Sequence, residues 1–170
     1  MTNLKIIPAL LLAAAFFTSS CSSTIYIVRH AEKAGNTGDP DLTPAGMARA
    51  QQLATLMADK NISEIYSTET NRTLQTAQPT GTALSVAVQR YSNDTLESFV
   101  NKRLKRTGKN KLVVGHSDTI LSIARMLDTT PTLAFIQESD YDNLLIVKWK
   151  RGWGTLEVTL TETTYGAASP

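Results

Sequence analysis

The stretch TIYIVRHAEKAG, residues 24–35, joins a run of β-forming residues to a polar cluster. Thr24 to Val28 are β-branched, aromatic or apolar, so both faces of the segment are apolar, which is typical of a central strand in a parallel sheet. Arg29 and His30 follow at the carboxyl end of this strand. Open α/β sheets bind ligands at the carboxyl ends of their strands. The stretch therefore predicts a buried strand and the start of a binding site.

Predicted strands and helices alternate along the rest of the chain. Thr43 is expected to cap a helix that has Pro44 at its first position. Further strands are predicted in ISEIYST, SVAVQRY and GKNKLVVGHS, and a hairpin in NLLIVKWKRGWGTLEVTLTE. Helices are predicted over 70–84, where Pro79 should end or kink the helix, over 94–106 with Asp94 as cap, over 117–128, and briefly from Pro131.

This alternation predicts an α/β fold that forms a three-layer sandwich. Its sheet should be mainly parallel, with helices on both faces and an antiparallel hairpin at the C-terminal edge. Residues 21–170 are expected to form a single domain, and the tail YGAASP is expected to fray.

Composition is that of an ordinary globular protein, with 42% hydrophobic and 19% charged residues among 170. The net charge of +2 is too small to favour nucleic acid as a partner. A core of useful size is possible in a chain of this length.

The first 20 residues are predicted to be a secretory signal of the lipoprotein type. One Lys is followed by an apolar stretch over 6–17 that is short for a membrane span, and then by small residues up to Cys21, the only cysteine. This order resembles a bacterial lipoprotein signal, in which the Cys becomes the lipidated first residue. We therefore expect a lipoprotein of the cell envelope, tethered to a membrane by its N-terminal lipid. Simple secretion with a free thiol is the alternative.

The chain has two histidines, and both follow a predicted parallel strand. His30 ends IYIVRH and His116 ends LVVGH. Arg72 follows the strand ISEIYST in the segment STETNR. Because the carboxyl ends of parallel strands meet at one edge, Arg29, His30, Arg72 and His116 are expected to converge on one polar cavity. Taken singly, a His after a strand is more often a structural hydrogen-bonding residue, and Arg72 alone fits a solvated helix residue.

Such a cavity would suit phosphoryl chemistry. Two guanidinium groups donate forked hydrogen bonds that match a tetrahedral oxyanion. A neutral imidazole is a nucleophile near neutral pH, and a second imidazole can donate to the anion as charge shifts. Phosphoryl transfer mainly needs positioning and charge neutralisation, so these groups can work without a metal or another cofactor.

Four segments resemble motifs of the histidine phosphatase superfamily, which includes the phosphoglycerate mutases. VRHAEK is similar to its Arg-His-Gly motif, and DLTPAGMARAQQLA to its Leu-Thr-x-x-Gly helix start. STETNRTLQTA and LVVGHSDTI resemble its Arg-containing segment and its second-histidine strand. The resemblance implies that His30 is phosphorylated during turnover and that Arg29, Arg72 and His116 bind the phosphoryl group. Asn36 lies where mutases often have an Asn that contacts phosphate.

Two features depart from the family pattern. Ala31 replaces the usual Gly, as in some small members. The proton donor is not obvious, because many members have a Glu or Asp between the second Arg and the second His. Asp94 and Glu97 lie in that interval, while Asp118 in HSD is similar to the His-Asp pair of the acid-phosphatase branch.

A phosphatase is favoured over a mutase. Arg72 and His116 are 44 positions apart (116 − 72), and this interval already holds predicted helices and a strand, so little remains for a lid. Without a lid, water should reach a phosphohistidine and hydrolyse it. We therefore expect a metal-independent phosphatase acting on a phosphomonoester or phosphoamidate of unknown identity. A mutase-type phosphoryl transferase and a non-catalytic phosphate-binding lipoprotein are the alternatives.

Overall fold

The structure is a computed structural model, and it describes residues 21–152 and 154–169. The predicted signal over residues 1–20 lies outside the described residues. The regular elements, in chain order, are β1 Cys21–Arg29, α1 Pro44–Met57, β2 Ile62–Ser67, α2 Asn71–Leu84, β3 Val88–Arg90, a 3₁₀ turn Asn93–Thr95, α3 Leu96–Phe99, a π-helical turn Val100–Leu104, β4 Asn110–Gly115, α4 Ser117–Met126, β5 Asn143–Arg151 and β6 Leu156–Thr164.

The strands form a six-stranded sheet in the order β3-β2-β4-β1-β5-β6. The four strands from β3 to β1 are parallel to one another, whereas β5 pairs antiparallel with both β1 and β6. β1 and β4 lie at the centre, in a register that pairs Arg29 with Gly115. This mixed sheet with a C-terminal antiparallel hairpin is the α/β architecture that the sequence predicts.

Helices cover both faces of the sheet. On one face, Ile25, Ile27 and Val113 pack with residues of α3 and α4. On the other face, Val28 and Leu112 pack with residues of α1 and α2. Successive residues of β1 thus enter opposite cores, which explains why this strand is apolar throughout.

The start of α1 is held against the loop that follows β1. Thr43 caps the helix by accepting a hydrogen bond from the amide of Gly46, as predicted. Gly46 also lies so close to this loop that a Cβ there would collide with the carbonyl oxygen of Glu32. The spacing from Thr43 to Gly46 therefore both begins the helix and lets it pack beside the segment after His30.

The helix predicted over 70–84 is present as α2, and Pro79 lies within it without ending it. Two other local predictions are wrong. Ser92, rather than Asp94, caps the helical segment, since its hydroxyl accepts the Asp94 amide. No helix begins at Pro131, where the described backbone forms an irregular loop.

The C-terminal tail is ordered instead of frayed. Tyr165 is buried, and its carbonyl accepts a hydrogen bond from the Arg49 guanidinium. The Ser169 amide donates to Asp142, and the Ser169 hydroxyl accepts the amide of Tyr141. The tail thus holds the start of β5 and the loop before it.

Within the described part of the chain, none of the helices combines the length and apolar character that crossing a membrane would require.

Candidate active site

The central strands bring the two histidines together. The amide of His30 donates to the carbonyl of Gly115 over 2.9 Å, which fixes the end of β1 against the end of β4. His116 follows Gly115 directly, so the ring centroids of His30 and His116 lie 5.6 Å apart. The spatial convergence expected from the sequence is therefore present at this edge of the sheet.

The ring of His30 is oriented by its own neighbour. Its Nδ1 lies 2.7 Å from the carbonyl oxygen of Ala31 and must donate to it, which leaves Nε2 as the unprotonated nitrogen. The amide of Ala31 donates in turn to the hydroxyl of Thr76 in α2. Ala31 is fully buried without a positive φ, so this position does not require glycine.

Burial keeps His30 neutral. Desolvation lowers the pKa of His30 from 6.5 to about 3, with the Ala31 hydrogen bond opposing this shift and Arg29 adding to it. Only 3% of the residue is exposed. Nε2 therefore retains its lone pair throughout the physiological pH range, as a nucleophile must.

His116 is held by β2. Its Nε2 lies 3.0 Å from the hydroxyl of Thr68, which is buried directly after β2 and also bonds Thr73. Desolvation and then Arg72 lower the pKa of His116, while Asp118 opposes the shift. His116 is thus also a neutral imidazole at neutral pH.

Arg29 is fixed by the loop between α4 and β5. Its Nη1 donates to the carbonyl oxygens of Gln137, Glu138 and Asp140 over 2.7, 3.0 and 2.9 Å. The Tyr141 ring stacks on the guanidinium, with 4.5 Å from Cζ to the ring centroid. The Nε atom of Arg29 is buried and has no hydrogen-bond partner. An anion bound beside Arg29 would provide the missing acceptor.

Arg72 lies at the start of α2 and faces the same cavity. It forms an ion pair with Asp39 over 3.4 Å, and the Asp39 carboxylate also accepts the amide of Asn71. Arg72 thus lines the same cavity as Arg29, while 20% of the Arg72 side chain remains exposed.

A polar cavity of about 330 Å³, here called the catalytic cavity, contains all four predicted residues. Its lining consists of Arg29, His30, Lys33, Arg72, His116, Ser117, Ile136 and Glu138. Lys33 and Glu138, which form an ion pair over 2.9 Å at its mouth, were not predicted. Lys33 stands three residues after His30, a signal that the sequence offered, whereas Glu138 is brought in only by tertiary structure.

Other predicted residues lie elsewhere. Asn36 and Asp94 are exposed and do not line the catalytic cavity, and neither does Glu97. Asp118 is near His116 but lines a neighbouring cavity, where its Oδ1 accepts hydrogen bonds from the amide and hydroxyl of Thr119. Of the three proton-donor candidates, the structure places only Asp118 beside the site.

The donor set suits an anion better than a metal. Two guanidinium groups and one ammonium face the catalytic cavity, against the single carboxylate of Glu138. Among the described residues, no three His, Cys, Asp or Glu side chains are grouped so that they could hold a metal ion.

Comparison with known proteins agrees with this geometry. The sequence model of the histidine phosphatase superfamily (branch 1) matches residues 25–94, a segment that contains Arg29, His30 and Arg72. No curated protein sequence matches the chain.

Solved structures share the fold at low sequence identity. A Nakamurella multipartitia protein assigned as the phosphohistidine phosphatase SixA is 17% identical, with a TM-score of 0.59 over 86% of this chain and 98% of its own. A mycobacterial glucosyl-3-phosphoglycerate phosphatase is 13% identical, with a TM-score of 0.62 over 85% of this chain and 100% of its own. The protein histidine phosphatase SixA complexed with tungstate is 15% identical, with a TM-score of 0.58 over 83% of this chain and 96% of its own.

Together, the family match and the shared fold confirm the resemblance to the histidine phosphatase superfamily that the motifs indicate.

Proposed function

We propose that this small histidine phosphatase-like protein is a metal-independent phosphatase that forms a phosphohistidine at His30. The observation that carries the proposal is the orientation of His30. Its Nδ1 is committed to the Ala31 carbonyl, and the ring lines a cavity that also holds Arg29, Arg72 and His116. Nε2 is therefore the nitrogen that remains available as nucleophile, in a cavity lined by the groups proposed to bind the phosphoryl oxygens.

The reaction is a double displacement. The lone pair of His30 Nε2 attacks phosphorus, and the bond from phosphorus to the leaving oxygen breaks with its electrons on that oxygen. The resulting phosphohistidine keeps its Nδ1 proton, which the Ala31 carbonyl continues to accept. Water then attacks phosphorus and gives a proton to the carboxylate that protonated the leaving oxygen, and the electrons of the N–P bond return to Nε2. Inorganic phosphate is released and the ring is again neutral.

The phosphoryl oxygens would be bound by the surrounding donors. Arg29 contributes its unpartnered Nε and Arg72 its partly exposed guanidinium, and a protonated or donating His116 completes the set. These groups are held in place before substrate binds, so they stabilise the charge of the transition state without reorganising. A relative of the same fold binds tungstate, another tetrahedral oxyanion, which is consistent with this assignment.

Hydrolysis is favoured over transfer to a second substrate. The described chain between Arg72 and His116 is taken up by α2, β3, the short helical turns and β4. Arg72 and His116 both remain partly exposed, so water can approach the phosphohistidine.

Asp118 is the proton donor we propose for the leaving oxygen, because it is the one candidate beside His116. Glu138 is a poor donor, since its hydrogen bond with Lys33 lowers the pKa of its carboxyl group. Asp118→Asn should slow an alkyl phosphate at least tenfold more than p-nitrophenyl phosphate, whose leaving group needs little protonation. Equal effects on both substrates would exclude this role.

The activity is tested by hydrolysis of p-nitrophenyl phosphate in the presence of EDTA. His30→Ala should abolish turnover, and His116→Ala and Arg72→Ala should each lower kcat/KM on the order of 10²-fold or more. Rapid quenching at alkaline pH after reaction with a radiolabelled phosphate donor should trap label on wild type and none on His30→Ala. Undiminished turnover by His30→Ala would refute the mechanism. Wild type that binds phosphate without hydrolysing any phosphate ester would instead indicate a non-catalytic binding protein.

We also propose that the protein is a lipoprotein of the cell envelope, tethered through Cys21. The apolar run over 6–17 and the solitary Cys after small residues support this assignment. Radiolabelled palmitate should label wild type and leave Cys21→Ala unlabelled, with Ser22→Ala as the matched control. Equal labelling of wild type and Cys21→Ala would reject lipidation at this residue.

A further inference from the structure

A second cavity, here called the lateral cavity, adjoins the catalytic cavity. It has a volume of about 240 Å³ and lies between the first turns of α4 and the loop segment 134–136. Ser117 and Ile136 line both cavities, so the two cavities are direct neighbours.

The two sides of the lateral cavity differ in chemistry. Leu121, Phe135 and Ile136 give it an apolar side, whereas Asp118, Ser122 and Arg125 form a polar side along α4. Leu121 and Ile136 are buried, but 65% of Phe135 is exposed at the rim. An exposed aromatic ring next to a cavity that leads into a reaction site offers a surface on which another flat apolar group can stack.

The loop that carries Phe135 is held at both ends. Before it, the amide and hydroxyl of Thr132 donate to Glu162 of β6 over 3.0 and 2.5 Å. After it, the Gln137 carbonyl accepts from Arg29 over 2.7 Å. The lateral cavity is therefore formed before any ligand binds, which lowers the entropic cost of binding.

We propose that the lateral cavity binds the leaving group of the substrate, and that it selects an aromatic ring. This inference rests on the proposed function, because the phosphoryl group must occupy the catalytic cavity for its leaving group to reach the lateral one. An in-line displacement by His30 directs the leaving oxygen away from the His30 ring. The lateral cavity, on the α4 side, accepts a group that departs in that direction.

Size and polarity favour a ring over a small polar leaving group. An apolar cavity of about 150 Å³ can hold benzene, so the lateral cavity has room for a phenyl ring with a substituent. The ring would contact Phe135, Leu121 and Ile136, and its substituents would meet the polar side of α4. The substrate class is thus a phosphorylated aromatic group, such as an aryl phosphate or a phosphorylated aromatic side chain.

The test compares two phosphonates that the protein cannot hydrolyse. Calorimetry should show phenylphosphonate binding about tenfold more tightly than methylphosphonate, which corresponds to about 1.4 kcal/mol. Phe135→Ala should remove most of this preference and leave methylphosphonate binding unchanged. Leu156→Ala is the matched control, because Leu156 is another exposed apolar residue that lines neither cavity, at the opposite end of β6 from Glu162, and it should keep the preference.

Each contrary result would overturn the proposal. A phenyl preference below twofold in wild type, or one that survives Phe135→Ala, would show that the ring does not occupy the lateral cavity. Tighter binding of glucose 6-phosphate than of phenyl phosphate to His30→Ala would assign the cavity to a sugar. A dimer that Phe135→Ala converts to monomer would assign Phe135 to contact with a second copy. The calorimetry needs no turnover. A protein that is inactive but keeps the phenyl preference would therefore refute the proposed phosphatase activity and leave the assignment of the lateral cavity intact.

Discussion

Acid should destabilise this protein through His30. Its pKa falls from 6.5 to about 3 on folding, because the ring is desolvated. Between these values the unfolded chain binds a proton at His30 that the folded chain does not, so the free energy of unfolding decreases as pH is lowered. One pKa unit corresponds to about 1.4 kcal/mol, so acidification from about pH 6.5 to about pH 4.5 removes up to roughly 3 kcal/mol through this group.

The test compares wild type with His30→Gln, whose glutamine side chain cannot titrate. Urea unfolding can be followed by the fluorescence of buried Trp149 at several pH values from 7 to 4.5. Glutamine changes stability at neutral pH as well, so the informative quantity is the slope of unfolding free energy against pH. Wild type should lose about 1 kcal/mol more per pH unit than the variant below pH 6.

The titration of His116 is present in both proteins, so the difference between the two slopes reports mainly on His30. Parallel slopes for wild type and His30→Gln would refute the reasoning, because they would mean that His30 titrates alike in the folded and unfolded chains. The same desolvation predicts that kcat/KM shows no acid limb near pH 6.5 from the nucleophile.

Three further predictions concern groups around the catalytic cavity. Glu138→Gln should lower KM for phosphate esters a few-fold by freeing Lys33, with little change in unfolding free energy because the Glu138 side chain is 69% exposed; an unchanged or higher KM would exclude this role. Thr68→Val should reduce kcat/KM about tenfold by releasing the ring of His116, while Thr68→Ser keeps the hydroxyl and should retain activity. An equal loss of activity in both variants would mean that Thr68 acts through packing and not through its hydroxyl. Truncation of the chain after Thr164 should lower the free energy of unfolding in urea by about 3 kcal/mol or more, because the buried Tyr165 is lost. An unchanged urea midpoint would contradict the ordering of the tail.

The sequence was sufficient for the features that depend on local pattern. Apolar runs with polar residues at their carboxyl ends located β1 and β4, and the parallel arrangement then placed His30 beside His116. Thr43 with Pro44 located the start of α1. These predictions succeed because strand ends, caps and periodicity are properties of neighbouring residues.

Contacts between distant parts of the chain could not be read in this way. Arg29 was assigned to phosphate alone, yet its Nη1 also anchors a loop whose residues lie more than 100 positions later. Glu138 enters the cavity through that loop. The sequence predicts that the short tail frays, because the partners of Tyr165 and Ser169 lie in distant parts of the chain. Asp94 and Ser92 are both good caps by residue type, and only the backbone geometry distinguishes them.

The direction of β1 has a consequence for access. Cys21 and His30 lie at opposite ends of this strand, about 30 Å apart at the usual rise of about 3.3 Å per residue. A group attached at Cys21 therefore lies at the opposite end of the strand from the His30 imidazole. A domain attached to a bilayer through Cys21 would hold the catalytic cavity away from the membrane. The cavity could then bind molecules that diffuse past but not the head groups of the leaflet to which the domain is attached.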